Sequence, residues 1–312
     1  MPPGLKTLAA VAAAVAMVGA AIVGRNALDT KTERDDLRLT VVCDPLAEAF
    51  CRAAAAADDR LTIKVESPEV TTKQLTGLNP GERPDFQAWV SAGPWLQMAV
   101  SDPATSAMPI NVSYVASTPV VFLTLRSQKF DCGKPPAGCL PLPAQPPSVP
   151  PRSPIAVGLP PPRRSGIGLA GLTQIVLARS QIGATDLDLS AIQTGKAADA
   201  INALVGHTNP GAGFEQLNAN FSGANPLVTI KAAAPPLGER TVMVTSEPAV
   251  RVVLQVGFLG DKARMPLSGG EPAGRALAMA AIDAGWDQPG DPSGGLPDPG
   301  VLAALKDAWT GS

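Results

Sequence analysis

The stretch IAVGLPPPRRSGIGLAGLTQIVLAR, residues 155–179, contains the elements from which we predict the fold. Residues 155–159 are apolar and predict a short buried strand, and the run from residue 166 onward has the composition of a buried helix. Such a helix points backbone N–H groups and the positive end of its dipole into the space above the strand. Because Arg163, Arg164 and Ser165 lie in the connecting turn, this region predicts a place for an anion or a polar ligand.

The same turn contains the pattern G-x-G-x-x-G at residues 166–171, which is also the fingerprint of dinucleotide binding. In a dinucleotide site the first glycine follows the strand directly, and an acidic residue about 20 positions later binds the ribose. Here six residues separate Leu159 from Gly166, and Asp186 and Asp188 lie in a predicted loop. We therefore assign no nucleotide site. Two interpretations stay open: a ligand role, or small residues that only let the helix pack closely on its sheet.

Composition excludes several classes of function. The chain has 312 residues, enough for one large or two medium domains, and its 25 Lys and Arg nearly balance its 27 Asp and Glu. This balance predicts no binding to nucleic acid. His207 is the only histidine, so no multi-histidine metal site can form. A Ser-His-Asp triad would have to use this residue, and no G-x-S-x-G pattern occurs. We expect a protein that is not an enzyme, with no catalytic residues, metal or cofactor.

Residues 1–36 predict export. They are apolar from Leu8 to Val23, and Lys6 is the only charge between residues 5 and 24. This length fits either the core of a signal peptide or a short membrane-spanning helix. The cleavage signal is poor, so we expect an uncleaved single-pass anchor in the cell membrane, with the bulk of the chain extracytoplasmic. If the segment is cleaved, the protein is secreted.

The four cysteines form two near pairs, Cys43 with Cys51 and Cys132 with Cys139. In an oxidising compartment this arrangement predicts two local disulfides, the first joining the end of a strand to the next helix. Free structural thiols are the alternative.

Strands and helices alternate from residue 37 onward, which predicts parallel strands with right-handed crossovers. Asp44 is predicted as a helix N-cap, because Pro45 follows it at the first helical position. Ligands bind such sheets beyond the carboxyl ends of the strands. The predicted elements are strand 37–43, helix 46–57, strand 61–66, a helix from 67, and strand 85–90.

The segment 112–125 is too long for an ordinary strand and contains Ser117, Thr118 and Pro119. We interpret it as a strand interrupted at these residues that leaves one sheet and enters another. Residues 131–162 are rich in proline and predict an exposed loop held by the second cysteine pair. Further along, the pattern predicts strand 241–245, a turn at Ser246 and Glu247, and helices 191–205, 275–285 and 301–309.

Four segments, in this order, resemble motifs of type II periplasmic substrate-binding proteins: RPDFQAWVSAGPW (83–95), VASTPVV (115–121), PRRSGIGLA (162–170) and TSEPAV (245–250). They are more similar still to membrane-anchored extracellular domains of this kind, which are often associated with von Willebrand factor A domains. No D-x-S-x-S motif of the latter occurs, so we expect such a domain to be absent or to lie on another chain.

The resemblance implies an α/β, two-lobed type II periplasmic-binding-protein-like fold with two hinge-crossing strands. Lobe I would comprise residues 37–118 plus 253–312, and lobe II residues 119–252. A small-molecule solute would bind between the lobes. The resemblance places Asp44 against a polar or cationic group and Ser91 and Trp95 in the lining. It makes Ser117 and Thr118 hydroxyl donors and Arg164, Ser165 and Gly166 an anion site. Glu247 would face the cleft from lobe II.

Two hypotheses follow from this resemblance. In the first, the protein holds a small polar or anionic ligand and either delivers it to a transporter or senses it. In the second, the same fold is a non-catalytic interaction or scaffold module of the cell envelope that has lost ligand binding.

Overall fold

The structure of the chain is a computed structural model. The described residues are 38–79, 82–105, 110–125, 157–205, 227–234, 239, 241–246, 249–259, 267–290 and 294–309. The predicted export segment, Cys132, Cys139, Glu247 and most of the proline-rich segment lie outside these ranges. Within them, no helix is both long enough and apolar enough to span a membrane.

Three parallel strands begin the fold, as the alternating pattern predicts. β1 (Leu39–Cys43) pairs with β2 (Leu61–Val65) on one side and with β3 (Ala88–Ala92) on the other. The crossovers are α1 (Glu48–Ala57) and α2 (Pro68–Thr76). β3 starts later than predicted because its ladder with β1 begins at the pair formed by Val41 and Ala88.

One long strand, β4 (Ile110–Leu125), connects two groups of strands. Its first part pairs with β7 (Arg251–Leu259), and its second part pairs with β5 (Leu227–Ile230) and β6 (Thr241–Thr245). The resulting order is β2-β1-β3-β7-β4-β5, with β6 also beside β4. The predicted crossing therefore exists, and β6 and β7 pair with consecutive parts of it.

The predicted interruption of β4 at residues 117–119 is wrong, because the strand is continuous for 16 residues. Its irregularity lies earlier, where the register with β7 shifts between Tyr114 and Ala116. Pro119 lacks only its own N–H donor, and the next N–H, of Val120, donates to the carbonyl of Val250 at 2.9 Å. The ladder therefore continues past the proline.

The helix predicted from the opening stretch is α4 (Gly166–Ser180), and nearly all of its residues are buried. The predicted strand before it is reduced to a parallel bridge between Gly158 and Leu227. A Cβ at Gly171 would lie 2.5 Å from Cγ1 of Val228 on β5, so a small residue is required there. The close-packing interpretation of the glycines therefore holds at this position.

The other helices are α3 (Trp95–Ser101), α5 (Leu189–Gln193), α6 (Gly195–Val205), α7 (Pro272–Asp283) and α8 (Pro299–Ala308). The helix predicted at 191–205 is two helices, because Gly195 at the break has a φ of +77°. α7 and α8 begin earlier than predicted, each with a proline in its first turn. α8 packs against α3, α4 and α5.

The predicted disulfide between Cys43 and Cys51 is present, and both residues are fully buried. It joins the end of β1 to α1.

We expect the double substitution Cys43→Ala with Cys51→Ala to lower the free energy of unfolding by about 2.5 kcal/mol, because a short loop is no longer closed in the unfolded chain. Urea unfolding measures this difference, and equal midpoints for the variant and the oxidised parent would contradict it.

Candidate functional site

Asp44, directly after β1, is the most buried charged side chain at the carboxyl end of the sheet. It is 2% exposed. Its carboxylate accepts hydrogen bonds from Trp89 Nε1 at 3.1 Å, from Ser91 Oγ at 2.8 Å and from the backbone N–H of Ala92 at 2.8 Å. Asp44 lies at the predicted N-cap position, before the 3-10 turn Pro45–Ala47, but its side chain makes no capping hydrogen bond and is directed toward β3 instead.

Burial raises the pKa of Asp44 from 3.8 to about 7, because desolvation disfavours the charged carboxylate. The hydrogen bonds from Ala92, Trp89 and Ser91 oppose this effect by stabilising the charge. Asp44 therefore changes protonation near neutral pH while it holds the end of β3 in place.

The end of β3 lies directly against the N-terminus of α4. A Cβ at Gly166 would lie only 1.9 Å from the carbonyl oxygen of Ala92, and a Cβ at Gly93 would lie 2.7 Å from Cα of Gly166. Gly93 also has a φ of +110°, which glycine adopts without strain. Ser165 caps the helix by accepting a hydrogen bond from the N–H of Gly168 at 3.2 Å. The two segments therefore touch backbone to backbone.

Both arginines of the turn contact elements outside α4. Nε of Arg164 lies 3.3 Å from Oε2 of Glu69 on α2, and the Arg164 side chain is 75% exposed. Nη2 of Arg163 donates to the backbone carbonyl of Asp307 on α8 at 3.1 Å. The turn therefore joins α4 to α2 and to α8.

Trp95, predicted to line a cleft, is 2% exposed at the start of α3. Nζ of Lys306 on α8 lies 5.5 Å from the centroid of its ring, which is a cation–π distance. Its indole N–H has no hydrogen-bond partner among the described residues. Trp95 is thus covered by protein and keeps an unused donor.

Ser117 and Thr118 lie on the crossing strand, and both hydroxyls accept hydrogen bonds within the protein. Ser117 Oγ accepts from Nε of Arg251 at 3.0 Å, and Thr118 Oγ1 accepts from the N–H of Ala232 at 3.2 Å. Arg251 also pairs with Asp287, at 2.5 Å. The main chains of Ser117 and Asp287 exchange two hydrogen bonds, of 3.0 and 2.8 Å.

The structure thus brings Asp44, Ser91, Ser165 and Gly166 into one region and places Ser117 and Thr118 in a separate network of hydrogen bonds on the crossing strand. Sequence reasoning missed Arg251 and Asp287, which contact Ser117, and it also missed Gln174. Oε1 of Gln174 on α4 accepts from the N–H of Val250 at 2.6 Å. In the part of the chain that the structure describes, no group of three or more potential metal ligands occurs.

The fold is similar to that of solved periplasmic binding proteins. Iron-bound HitA from Pseudomonas aeruginosa is 12% identical, with a TM-score of 0.56 over 86% of this chain and 97% of that chain. AfuA from Actinobacillus pleuropneumoniae, with fructose-6-phosphate bound, is 12% identical, with a TM-score of 0.54 over 88% of this chain and 99% of that chain. A periplasmic thiamin binding protein is 14% identical, with a TM-score of 0.51 over 87% and 95%.

No family model and no curated protein matches the sequence. At 12 to 14% identity, the likeness to solved structures establishes the fold alone. The chain has the two-lobed α/β fold of type II periplasmic binding proteins, as the order of its motifs predicts.

Proposed function

We propose that this protein is an exported, non-enzymatic solute-binding-like protein that closes on a small polar or anionic ligand between two lobes. Lobe I would comprise residues 37–118 plus 253–312, and lobe II residues 119–252. The observation that carries the proposal is the meeting of Asp44 and Ser91, at the ends of β1 and β3, with the N-terminus of α4. In open α/β sheets, this edge is where ligands bind.

Hinge motion at the crossing strands would open this region. Away from these strands, the lobes meet through a glycine contact, through the packing of α8, through the hydrogen bond of Arg163 to Asp307 and through the exposed ion pair of Arg164 with Glu69. An exposed ion pair stabilises by only about 0–1 kcal/mol, so its loss is a small cost. When the lobes separate, Arg164 is released from Glu69, and its guanidinium can then donate hydrogen bonds to a polar or anionic group of the ligand. We propose this exchange as the role of Arg164.

The proposal also includes a cellular location for the protein. Residues 1–36 would anchor it in the membrane with the lobes outside the cytoplasm, or direct secretion if they are cleaved. Its partner would be a transporter that receives the solute, or a von Willebrand factor A protein on another chain.

Mass spectrometry tests the proposal most simply. The full chain is expressed in an exporting host, purified gently, and measured under native and denaturing conditions. We expect a bound small molecule under native conditions, and about a tenfold weaker affinity for it in Arg164→Ala, because one charge-assisted hydrogen bond is lost. Arg163→Ala is the matched control, since Arg163 contacts Asp307 rather than Glu69.

A second function is favoured by one specific observation. The polar groups predicted to hold a ligand already have protein partners: Asp44 is bonded to β3, Ser117 to Arg251 and Thr118 to Ala232. Such an arrangement suits an interaction module that has lost its ligand. A protein that carries no small molecule, and whose melting temperature does not respond to anions, amino acids or sugars, would support this function and exclude the first.

A further inference from the structure

Gln255, in the middle of β7, is a buried polar residue whose side chain is not used by the fold. It is 0% exposed, and neither its amide nitrogen nor its amide oxygen has a hydrogen-bond partner among the described residues. Buried amides in proteins are almost always paired, because each unpaired polar atom has lost its hydrogen bonds to water. An unpaired glutamine at a crossing strand therefore needs a functional explanation.

The strand register places Gln255 in a polar row. It pairs with Ser91 of β3 on one side and with Tyr114 of β4 on the other. Side chains of directly paired antiparallel residues lie on the same face of a sheet. Ser91 is fully buried, whereas Tyr114 is 39% exposed. The row therefore runs from the interior, beside Asp44, to the surface at Tyr114.

Helix α3 covers the face on which this row lies. A Cβ at Gly257, two residues after Gln255 and on the same face, would lie 2.6 Å from Cδ1 of Leu96. The same helix carries Trp95, whose buried indole N–H is also unpaired among the described residues. Unused donors thus come from both the sheet and the helix above it.

The chemistry of the row defines what it can bind. The Gln255 amide offers two N–H donors and one carbonyl acceptor, and the Ser91 oxygen, whose O–H donates to Asp44, can still accept. A matching group must both accept and donate hydrogen bonds. A hydroxyl or a carboxamide does so, whereas sulfate can only accept.

We propose that Gln255, with Ser91 and Tyr114, forms a subsite for a hydroxyl or carboxamide group of an uncharged polar solute. The subsite rests on the proposed function, because Gln255 pairs with Ser91 at the end of β3, in the region proposed to bind the solute. It narrows the ligand class to polyols, sugars and amides, away from simple anions.

The test compares Gln255→Leu with the parent in the full chain, using glucose, myo-inositol and acetamide as neutral probes and phosphate and sulfate as anions. We expect at least one neutral probe to raise the melting temperature of the parent, and to bind Gln255→Leu at least about tenfold more weakly. Without probe, the variant should melt at the same temperature as the parent or higher, since it removes unpaired polar atoms. Gln74→Leu is the matched control, because Oε1 of Gln74 is likewise unpaired among the described residues but lies on α2.

Three outcomes would overturn the inference. If a neutral probe stabilises the parent and Gln255→Leu equally, it binds elsewhere. If only phosphate or sulfate binds, the proposed function stands and the Gln255 subsite is wrong. If no probe binds and Gln255→Leu melts below the parent while Gln74→Leu does not, the amide serves only to hold a buried water.

Discussion

Gly166→Ala is expected to separate the two lobes and to lower the free energy of unfolding by about 3 kcal/mol. The added methyl group would lie 1.9 Å from the carbonyl oxygen of Ala92. Because that atom belongs to the backbone of a buried strand end, it cannot turn away as a flexible side chain would. The contact between β3 and α4 must therefore open. Urea unfolding gives the loss of stability, and small-angle X-ray scattering gives the change in radius of gyration.

Gly168→Ala is the matched control for this substitution. Its methyl group would lie 2.1 Å from the carbonyl oxygen of Pro160, which belongs to the turn before the same helix. Both variants should be destabilised by a backbone clash, but only Gly166→Ala should expand the molecule. Equal radii of gyration for the two variants would show that the Gly166 contact does not hold the lobes together.

A fall in stability between about pH 4 and pH 7 is the second large effect that we expect. Asp44 has a pKa of about 7 in the folded protein and 3.8 as an unperturbed group, so in this interval the folded state keeps a proton that the unfolded chain has released. The free energy of unfolding then decreases by about 1.4 kcal/mol per pH unit, on the order of 4 kcal/mol in all. Above about pH 7 both states are ionised, and the contribution of Asp44 no longer changes.

Asp44→Asn isolates this contribution, because asparagine does not titrate. Denaturant unfolding at half-unit pH intervals gives the stability difference between parent and variant. We expect the parent to lose stability relative to the variant as the pH rises from 4 to 7. A difference that stays constant over this range would mean that Asp44 is already ionised in the folded protein at low pH.

Local patterns were sufficient to predict the first half of the fold. The alternation of strand and helix from residue 37 predicted β1, β2 and the helices between them, and the length of residues 112–125 predicted a strand that joins two sheets. β5 was missed because four residues, Leu227–Ile230, are too few to show a period. The error at Pro119 has a physical reason as well, since a proline removes one donor without ending the strand.

General rules of α/β folds predicted where the site lies, but not the contacts within it. Because the carboxyl ends of parallel strands lie at the same edge of a sheet, the sequence predicted that Asp44 and Ser91 are close together. The motif at residues 162–170 predicted that Gly166 lies near them. The bonds that define their environment join distant parts of the chain. Ser117 and Arg251 are 134 residues apart, and Gln174 and Val250 are 76 apart. No local pattern in the sequence carries such pairings.

The distance between the lobes is the measurement that tests the proposed hinge most directly. Single-molecule energy transfer between two fluorescent labels would report this distance. One label is placed at Asp59, in the turn before β2, and the other at Lys196 on α6, since both residues are exposed. We expect a short distance between the labels in the parent, and a bound solute should stabilise this closed state further. In Gly166→Ala, the distance between the labels should be longer. A single distance that neither the solute nor Gly166→Ala changes would contradict a protein that opens and closes around its ligand.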